Sequence, residues 1–177
     1  MKELTAEFFE EIYPLNLSES EVILKIMEND KEYFKKYKDY INNEKIAIAG
    51  LSLGGPVSIA VSNLAPNVSS TIAASGVISQ YKTAGSGITP GMLKYFDQPD
   101  QTASLSPKPL YLSWGLNEKA GFGYEANNQY SAKIINNSYK VLDAEEKLVI
   151  VIHDEEFNYG HTFELTSIID FLDNTIG

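Results

Sequence analysis

The chain has 177 residues, 44% hydrophobic and 21% charged, a composition typical of one globular domain with a hydrophobic core. It contains no cysteine, which excludes disulfides, thiolate metal sites and a cysteine nucleophile. Its formal net charge of −10 disfavours nucleic acid as a partner, because a phosphate backbone would be repelled.

The first 44 residues are predicted to be helical. Hydrophobic residues at helical spacing stop at Pro14, and Ser18 with Glu21 has the spacing of a capping box that begins a second helix. The basic cluster Lys31–Lys38 falls in this second pattern and is interpreted as a solvated helix face. No apolar run resembles a secretory signal or reaches the roughly 20 residues that span a bilayer. We therefore expect a cytoplasmic protein that does not contact a membrane.

Short apolar runs alternate with helical patterns in the rest of the chain. Strands are predicted at residues 45–50, 71–76, 110–114 and 148–152, and helices at 53–64, 124–142 and 162–176. Residues 77–107 lack clear periodicity and are interpreted as a functional excursion with a short helix near 92–96. The alternation predicts one domain, 1–177, with three α/β/α layers and a short, mostly parallel sheet of about four strands.

The first predicted strand continues into Gly50-Leu51-Ser52-Leu53-Gly54-Gly55, which matches G-x-S-x-G between a strand and a helix. Such a turn strains the serine backbone and needs small neighbours, and the helix N-terminus presents N–H groups where an oxyanion would develop. The motif predicts Ser52 as a nucleophile. The alternatives are a plain strand–helix turn and a phosphate-binding loop, although the lysine of a Walker loop and the third glycine of a dinucleotide loop are missing.

A serine nucleophile needs a base, and the chain has two histidines. His161 is predicted to lie in a loop after the last strand, at the carboxyl end of the sheet, where Ser52 also lies. His153 ends that strand and is the weaker candidate. His161 is therefore the predicted base.

The base in turn needs a carboxylate that orients it. Glu118 follows the third predicted strand, which is where the acid stands in the chain order serine, acid, histidine. Glu118 is the predicted acid, and Glu125, Asp154 and Glu155 are the alternatives.

These motifs resemble the α/β-hydrolases, in particular the C-terminal portion of the dienelactone-hydrolase and acetylxylan-esterase-like branch. The likeness covers about residues 20–177. It rests on segments 45–55, 95–100, 105–110, 114–118 and 160–163.

The resemblance implies that Ser52 is the nucleophile, Glu118 the acid and His161 the base, and that the backbone N–H of Leu53 is one oxyanion donor. True dienelactone hydrolases carry cysteine at the nucleophile, so the serine here favours the esterase-like branch. Family members usually have aspartate at the position of Glu118.

Complete family members also have several strands before the nucleophile strand, and a loop among these strands supplies the second oxyanion donor. Only 44 residues precede the first strand here. The open edge of a shortened sheet invites pairing. We expect residues 1–17 to cover it, or the chain to form a homodimer or pair with a separately encoded N-terminal half.

The predicted function is hydrolysis of a small-molecule ester, without a metal or organic cofactor. Side chains of the excursion are predicted to line the substrate pocket, with ordinary core packing as the alternative: Tyr81, Met92, Tyr95 and Phe96. The alternative function is an impaired or inactive domain that binds a partner or needs one, since loss of one oxyanion donor lowers the rate on the order of 10²–10³-fold.

Overall fold

The computed structural model describes residues 45–81, 91–118, 129–154 and 156–177, and these belong to one compact unit, Glu44–Gly177. The N-terminal segment 1–44, predicted to be helical and part of the same domain, lies outside the described residues. The proposed edge cover, residues 1–17, lies there too.

Four parallel strands form the sheet of the described residues. They are β1 (Ile46–Leu51), β2 (Val68–Ala74), β3 (Leu110–Gly115) and β4 (Leu148–His153), and they lie in the order β1-β2-β3-β4. The central strands β2 and β3 are buried almost throughout, whereas β1 and β4 are mostly half-buried. The strands are rich in apolar residues, as is usual for parallel strands packed between two layers, and β2 also buries the hydroxyls of Ser70 and Thr71.

The described helices are α1 (Gly54–Leu64), α2 (Gln98–Ala103), α3 (Gln129–Val141) and α4 (Leu165–Thr175), with 3₁₀ turns at Met92–Lys94, Glu145–Lys147 and Phe157–Gly160. The four strands, the three longer helices and the short helix near 92–96 are confirmed, apart from residues 124–128, which are not described. Helix α2 was not predicted from the sequence. This helix has six residues and no apolar periodicity, and it begins at a capping box formed by Asp97 and Asp100.

Helices cover both faces of the sheet. With this strand order, right-handed crossovers place α1, α2 and α3 on the same face. The larger core cluster lies there and includes Ile59, Leu105, Leu112, Trp114, Ile135 and Tyr139. On the other face, α4 packs Ile168 and Phe171 against Ile72 and Tyr111. The three-layer α/β/α architecture is confirmed.

The covering is incomplete next to β1. Ala49 pairs in register with Ile72, so both point to the α4 face of the sheet. Ile72 is buried, whereas Ala49 is exposed. Within the described residues, α4 therefore covers β2 to β4 and leaves β1 open on this face.

The outer face of α1 is apolar and exposed. Its side chains recur at helical spacing on the surface: Leu53, Val57, Val61 and Leu64. The opposite face of α1 is buried against the sheet through Ser58, Ile59 and Ser62. Both faces of this helix are thus built from small or apolar residues.

Across the described ranges, no helix combines the length and the hydropathy that a bilayer span requires.

Candidate active site

Ser52 occupies the turn between β1 and α1 with a φ of 58°. This left-handed conformation is uncommon for a residue other than glycine and persists only where the surroundings impose it. The Ser52 N–H donates to the carbonyl of Ala74 (2.9 Å), and the Ser52 carbonyl accepts from the N–H of Gly55 (3.0 Å). The turn is thus held both to the end of β2 and to the start of α1.

Two glycines allow the backbone to approach itself here. A Cβ at Gly50 would lie 1.9 Å from the carbonyl oxygen of Gly54, and one at Gly76 would lie 2.4 Å from the carbonyl oxygen of Ser52. Neither position can hold a side chain without moving the backbone. A Cβ at Gly54, in contrast, would have no described atom within 4 Å. Close packing therefore requires only the first glycine of the G-x-S-x-G motif.

The structure brings the side chains of His161 and Glu118 into contact, with Nδ1 of the imidazole 3.0 Å from Oε1 of the carboxylate. Glu118 lies in the turn that follows β3, and His161 follows the 3₁₀ turn after β4. A Cβ at Gly115 would lie 2.5 Å from the carbonyl oxygen of Gly160. The two loops can meet because residue 115 has no side chain.

The carboxylate of this pair is the more deeply buried partner, since the Glu118 side chain is 1% exposed and the His161 side chain 25%. Burial raises the pKa of Glu118, and the Ser75 hydroxyl, His161 and the backbone of Gly115 each oppose that rise. When Glu118 is ionised, Nδ1–H of His161 donates to it, so the ring lone pair lies on Nε2. This is the tautomer that a general base needs.

Ser52 and the His161–Glu118 pair lie at the same end of the sheet. In a parallel sheet the carboxyl ends of all strands meet at one edge, and the three residues follow β1, β4 and β3 respectively. The backbone N–H of Leu53, the predicted oxyanion donor, lies at the N-cap of α1. The three residues therefore share one edge of the sheet.

The second histidine is placed differently. His153 is buried at the end of β4, and within the described residues neither of its ring nitrogens has a hydrogen-bond partner. It therefore lacks the orienting acid that His161 has. Of the alternative acids, Asp154 is exposed, and Glu125 and Glu155 fall outside the described residues.

The predicted pocket residues lie on the connection between β2 and β3. Tyr81, Tyr95 and Phe96 are exposed, which excludes ordinary core packing for these three, and Met92 is half-buried in a 3₁₀ turn. The Tyr81 hydroxyl donates to the carbonyl of Leu93 (2.8 Å). Residues 82–90 of this connection are not described. Pocket lining remains a prediction for all four side chains.

Asp97 fastens the described parts of this connection together. Its buried carboxylate accepts from the Ser79 hydroxyl (2.6 Å), the Gln80 N–H (2.9 Å) and the Gln98 N–H (2.8 Å). The segment that follows β2 is thereby joined to the start of α2. The spacing of Asp97 and Asp100 was the available sequence signal for a helix start, and no helix was predicted from it.

Ser75 is a further residue of the site that was not predicted from the sequence. It follows β2 with a φ of 51° and is fully buried, and its N–H donates to the carbonyl of Ser113 (2.8 Å). The available signal was a Ser-Gly pair directly after a buried strand.

Two further features lie outside the site. In the part of the chain that the structure describes, no group of three or more His, Asp or Glu side chains is placed to hold a metal ion. A groove lined by Pro109, Lys147 and Phe171 opens beside the amino ends of β3 and β4, opposite to Ser52.

No protein-family model and no curated protein sequence matches the chain. Solved structures do match. The CE15 glucuronoyl esterase from Caldicellulosiruptor kristjansonii superposes with a TM-score of 0.59 at 16% identity, over 75% of this chain and 43% of that one. The glucuronoyl esterase catalytic domain from Hypocrea jecorina gives 0.61 at 13% identity, over 77% and 45%. The Pyrococcus furiosus esterase Pf2001 gives 0.57 at 16% identity, over 88% and 62%.

The chain thus spans less than two thirds of the length of each of these three structures. The finer likeness to dienelactone hydrolases remains a prediction, because none of the three bears that name. What the structural likeness shows is the fold, a parallel sheet with flanking helices of the α/β-hydrolase-like type found in these esterases.

Proposed function

We propose that this chain is a serine esterase that hydrolyses a small carboxylic ester, with Ser52 as nucleophile, His161 as base and Glu118 as the orienting acid. The observation that carries the proposal is the 3.0 Å contact between His161 and Glu118, at the end of the sheet where Ser52 is held at a positive φ. The esterases of similar fold support it by analogy.

The proposed reaction has two halves. Nε2 of His161 takes the proton of the Ser52 hydroxyl as Oγ attacks the ester carbonyl, and the N–H of Leu53 donates to the oxyanion. The intermediate collapses, the imidazolium returns its proton to the departing alcohol, and an acyl-serine remains. Water, deprotonated by the same imidazole, then releases the acid and restores the hydroxyl.

The burial of Glu118 suits this role. A carboxylate with few water contacts interacts more strongly with the imidazolium that forms during attack. The partly exposed His161 ring, in turn, remains accessible from the surface. The pair therefore combines a fixed acid with a reachable base.

The sheet supports a second candidate. Within the described residues β1 has one neighbouring strand, β2, and the one proposed oxyanion donor, Leu53, follows it. A domain of this kind would be impaired alone and would need a second copy or a separately encoded N-terminal half to supply the second donor. A strict monomer in light scattering would contradict the form of this candidate in which a second copy supplies the donor.

A fluorophosphonate probe tests the esterase proposal, because it phosphonylates a serine only where a base and an oxyanion site are assembled. We expect the purified chain to be labelled at Ser52, as located by mass spectrometry. Labelling should be lost in Ser52→Ala and His161→Ala. The matched control His153→Ala removes the other histidine and should retain the label.

Circular dichroism on each variant separates loss of the site from loss of the fold. A folded wild-type chain that takes no label would contradict the esterase proposal for the chain alone. Labelling that appears only after a second chain is added would favour the second candidate.

A further inference from the structure

We propose that Ser75 is a positioning residue for Glu118, in which the Ser75 hydroxyl donates to Oε2 of the carboxylate and fixes it toward His161. This inference rests on the proposed function, because it gives the acid of the proposed triad its second partner.

Two buried polar atoms near the site have no hydrogen-bond partner among the described residues. One carboxylate oxygen of Glu118 meets His161, whereas the other, Oε2, is buried with no hydrogen-bond partner among the described residues. The Ser75 hydroxyl is buried and lacks a partner in the same part of the structure. A buried carboxylate oxygen without a donor is costly, and the serine supplies the donor that is missing.

The backbone conformation of Ser75 also supports the inference, because a φ of 51° is uncommon for a residue with a side chain. Such conformations persist where neighbouring contacts impose them, and they concentrate at functional sites. Here the Ser75 N–H donates to β3 through Ser113, and the preceding residue, Ala74, accepts the N–H of Ser52. The end of β2 thus connects the nucleophile turn with the strand that carries the acid.

Electrostatics agrees with this placement. Burial raises the pKa of Glu118, and the Ser75 hydroxyl is the largest of the influences that lower it, ahead of the hydrogen bond and charge of His161 and the backbone of Gly115. Among the described residues, His161 is the titratable group that acts on this carboxylate. Removal of the hydroxyl should therefore raise the pKa of Glu118 further.

The experiment compares Ser75→Ala with Ser113→Ala in the full chain. Both changes remove a fully buried serine hydroxyl, one at the end of β2 and one on β3. The Ser113 hydroxyl acts on Tyr111 and is not among the influences on Glu118. Alanine keeps the Cβ of Ser75, so the backbone strain is unchanged. Glutamate labelled with ¹³C at the carboxyl is followed by NMR through a pH titration, and the Glu118 signal is assigned by its loss in Glu118→Gln.

We expect the pKa of Glu118 to rise by about one pH unit in Ser75→Ala, since a hydrogen bond to a charged group is typically worth that much. It should be unchanged in Ser113→Ala. With an ester substrate, kcat should fall about tenfold in Ser75→Ala while KM stays within about twofold, because Ser75 acts through Glu118 and not on the substrate.

An unchanged titration of Glu118 in Ser75→Ala would overturn the inference. A raised pKa with unchanged kcat would overturn the positioning role. A wild-type chain that is inert to the fluorophosphonate probe would contradict the proposed function, whereas the titration would still decide whether Ser75 donates to Glu118.

Discussion

The two glycines of the nucleophile turn have unequal structural roles. A side chain at Gly50 would collide with the backbone of Gly54, whereas a side chain at Gly54 would meet no described atom. The sequence motif treats the two positions alike. The structure distinguishes them, because the contact depends on how closely the first turn of α1 returns to the end of β1.

We therefore predict opposite effects of the same substitution at these positions. Gly50→Ala should lower the free energy of unfolding by at least about 1–3 kcal/mol, since the backbone must move to admit the Cβ. Gly54→Ala should leave it unchanged or raise it by about 0.4–1 kcal/mol, because alanine restricts the unfolded chain and favours a helix. Urea denaturation of both variants measures the difference, and equal losses would contradict it.

The buried carboxylate of Glu118 links stability to pH. Its pKa is raised in the folded chain, chiefly by burial, so folding stabilises the protonated carboxyl relative to the carboxylate. The contribution of the protonated carboxyl to the free energy of unfolding is complete below the ordinary glutamate pKa and is lost as the pH rises through the raised value. In Glu118→Gln the amide does not ionise, so stability is not lost in this way.

The expected result is that Glu118→Gln gains stability relative to wild type between pH 4 and pH 7, as measured by thermal or urea unfolding at both ends. In the same variant, kcat for an ester should fall on the order of 10⁴-fold, as for an amide that holds the histidine in the wrong tautomer. A relative stability that is flat with pH would contradict the assigned direction of the pKa.

The principal residues of the candidate site could be predicted from the sequence, but the residues that contact and position the surrounding loops could not. Chain order and strand ends sufficed to nominate Ser52, Glu118 and His161 as one group. Ser75 and Asp97 could not be identified, because the contacts that fix them join distant positions: Asp97 accepts from Ser79 and Gln80, and Ser75 donates through its N–H to Ser113 on the neighbouring strand. Local patterns contain no information about such contacts.

At the scale of elements, α1 presents two apolar faces with different surroundings. Ile59 is buried in the main core, whereas Val57, two residues earlier, is exposed. A helix at a protein surface normally has a polar outer face. The contrast offers a matched pair of substitutions within one helix.

Ile59→Ala should lower the free energy of unfolding by about 2–5 kcal/mol, because it leaves a cavity in the core. Val57→Ala should change it by no more than about 0.5 kcal/mol, as expected for an exposed side chain. Chemical denaturation at several protein concentrations provides the measurement. A loss above about 1 kcal/mol in Val57→Ala would mean that the outer face of α1 is covered in solution.

Elements with strong periodicity were predictable, and those defined by capping alone were not. The four strands and the helices α3 and α4 each have a hydrophobic pattern that local sequence displays. Helix α1 is apolar on both faces, and its sequence signal is Pro56 in the first turn. The helix α2, with the sequence Gln98-Pro99-Asp100-Gln101-Thr102-Ala103, has none. Its existence depends on the cap at Asp97, whose carboxylate is also fixed by residues after β2.

At the scale of the whole molecule, the strands of the described residues lie in the order of the chain, β1-β2-β3-β4. Sequence alternation predicted parallel strands and helical layers. It did not predict which strand would be central, because each run is apolar and the choice depends on how many neighbours each strand finds. The three solved structures of similar fold superpose on this chain over 43–62% of their own lengths.

This sequential order bears on where a ligand crevice can form. In open α/β sheets a ligand crevice forms where successive crossovers leave toward opposite faces. The connections that carry α1, α2 and α3 all pass over one face, whereas the segment after β4 leads to α4 on the opposite face. Within the described residues this reversal therefore lies between the carboxyl ends of β3 and β4, the strands that Glu118 and His161 follow. A crevice at that point would open directly beside the His161–Glu118 pair.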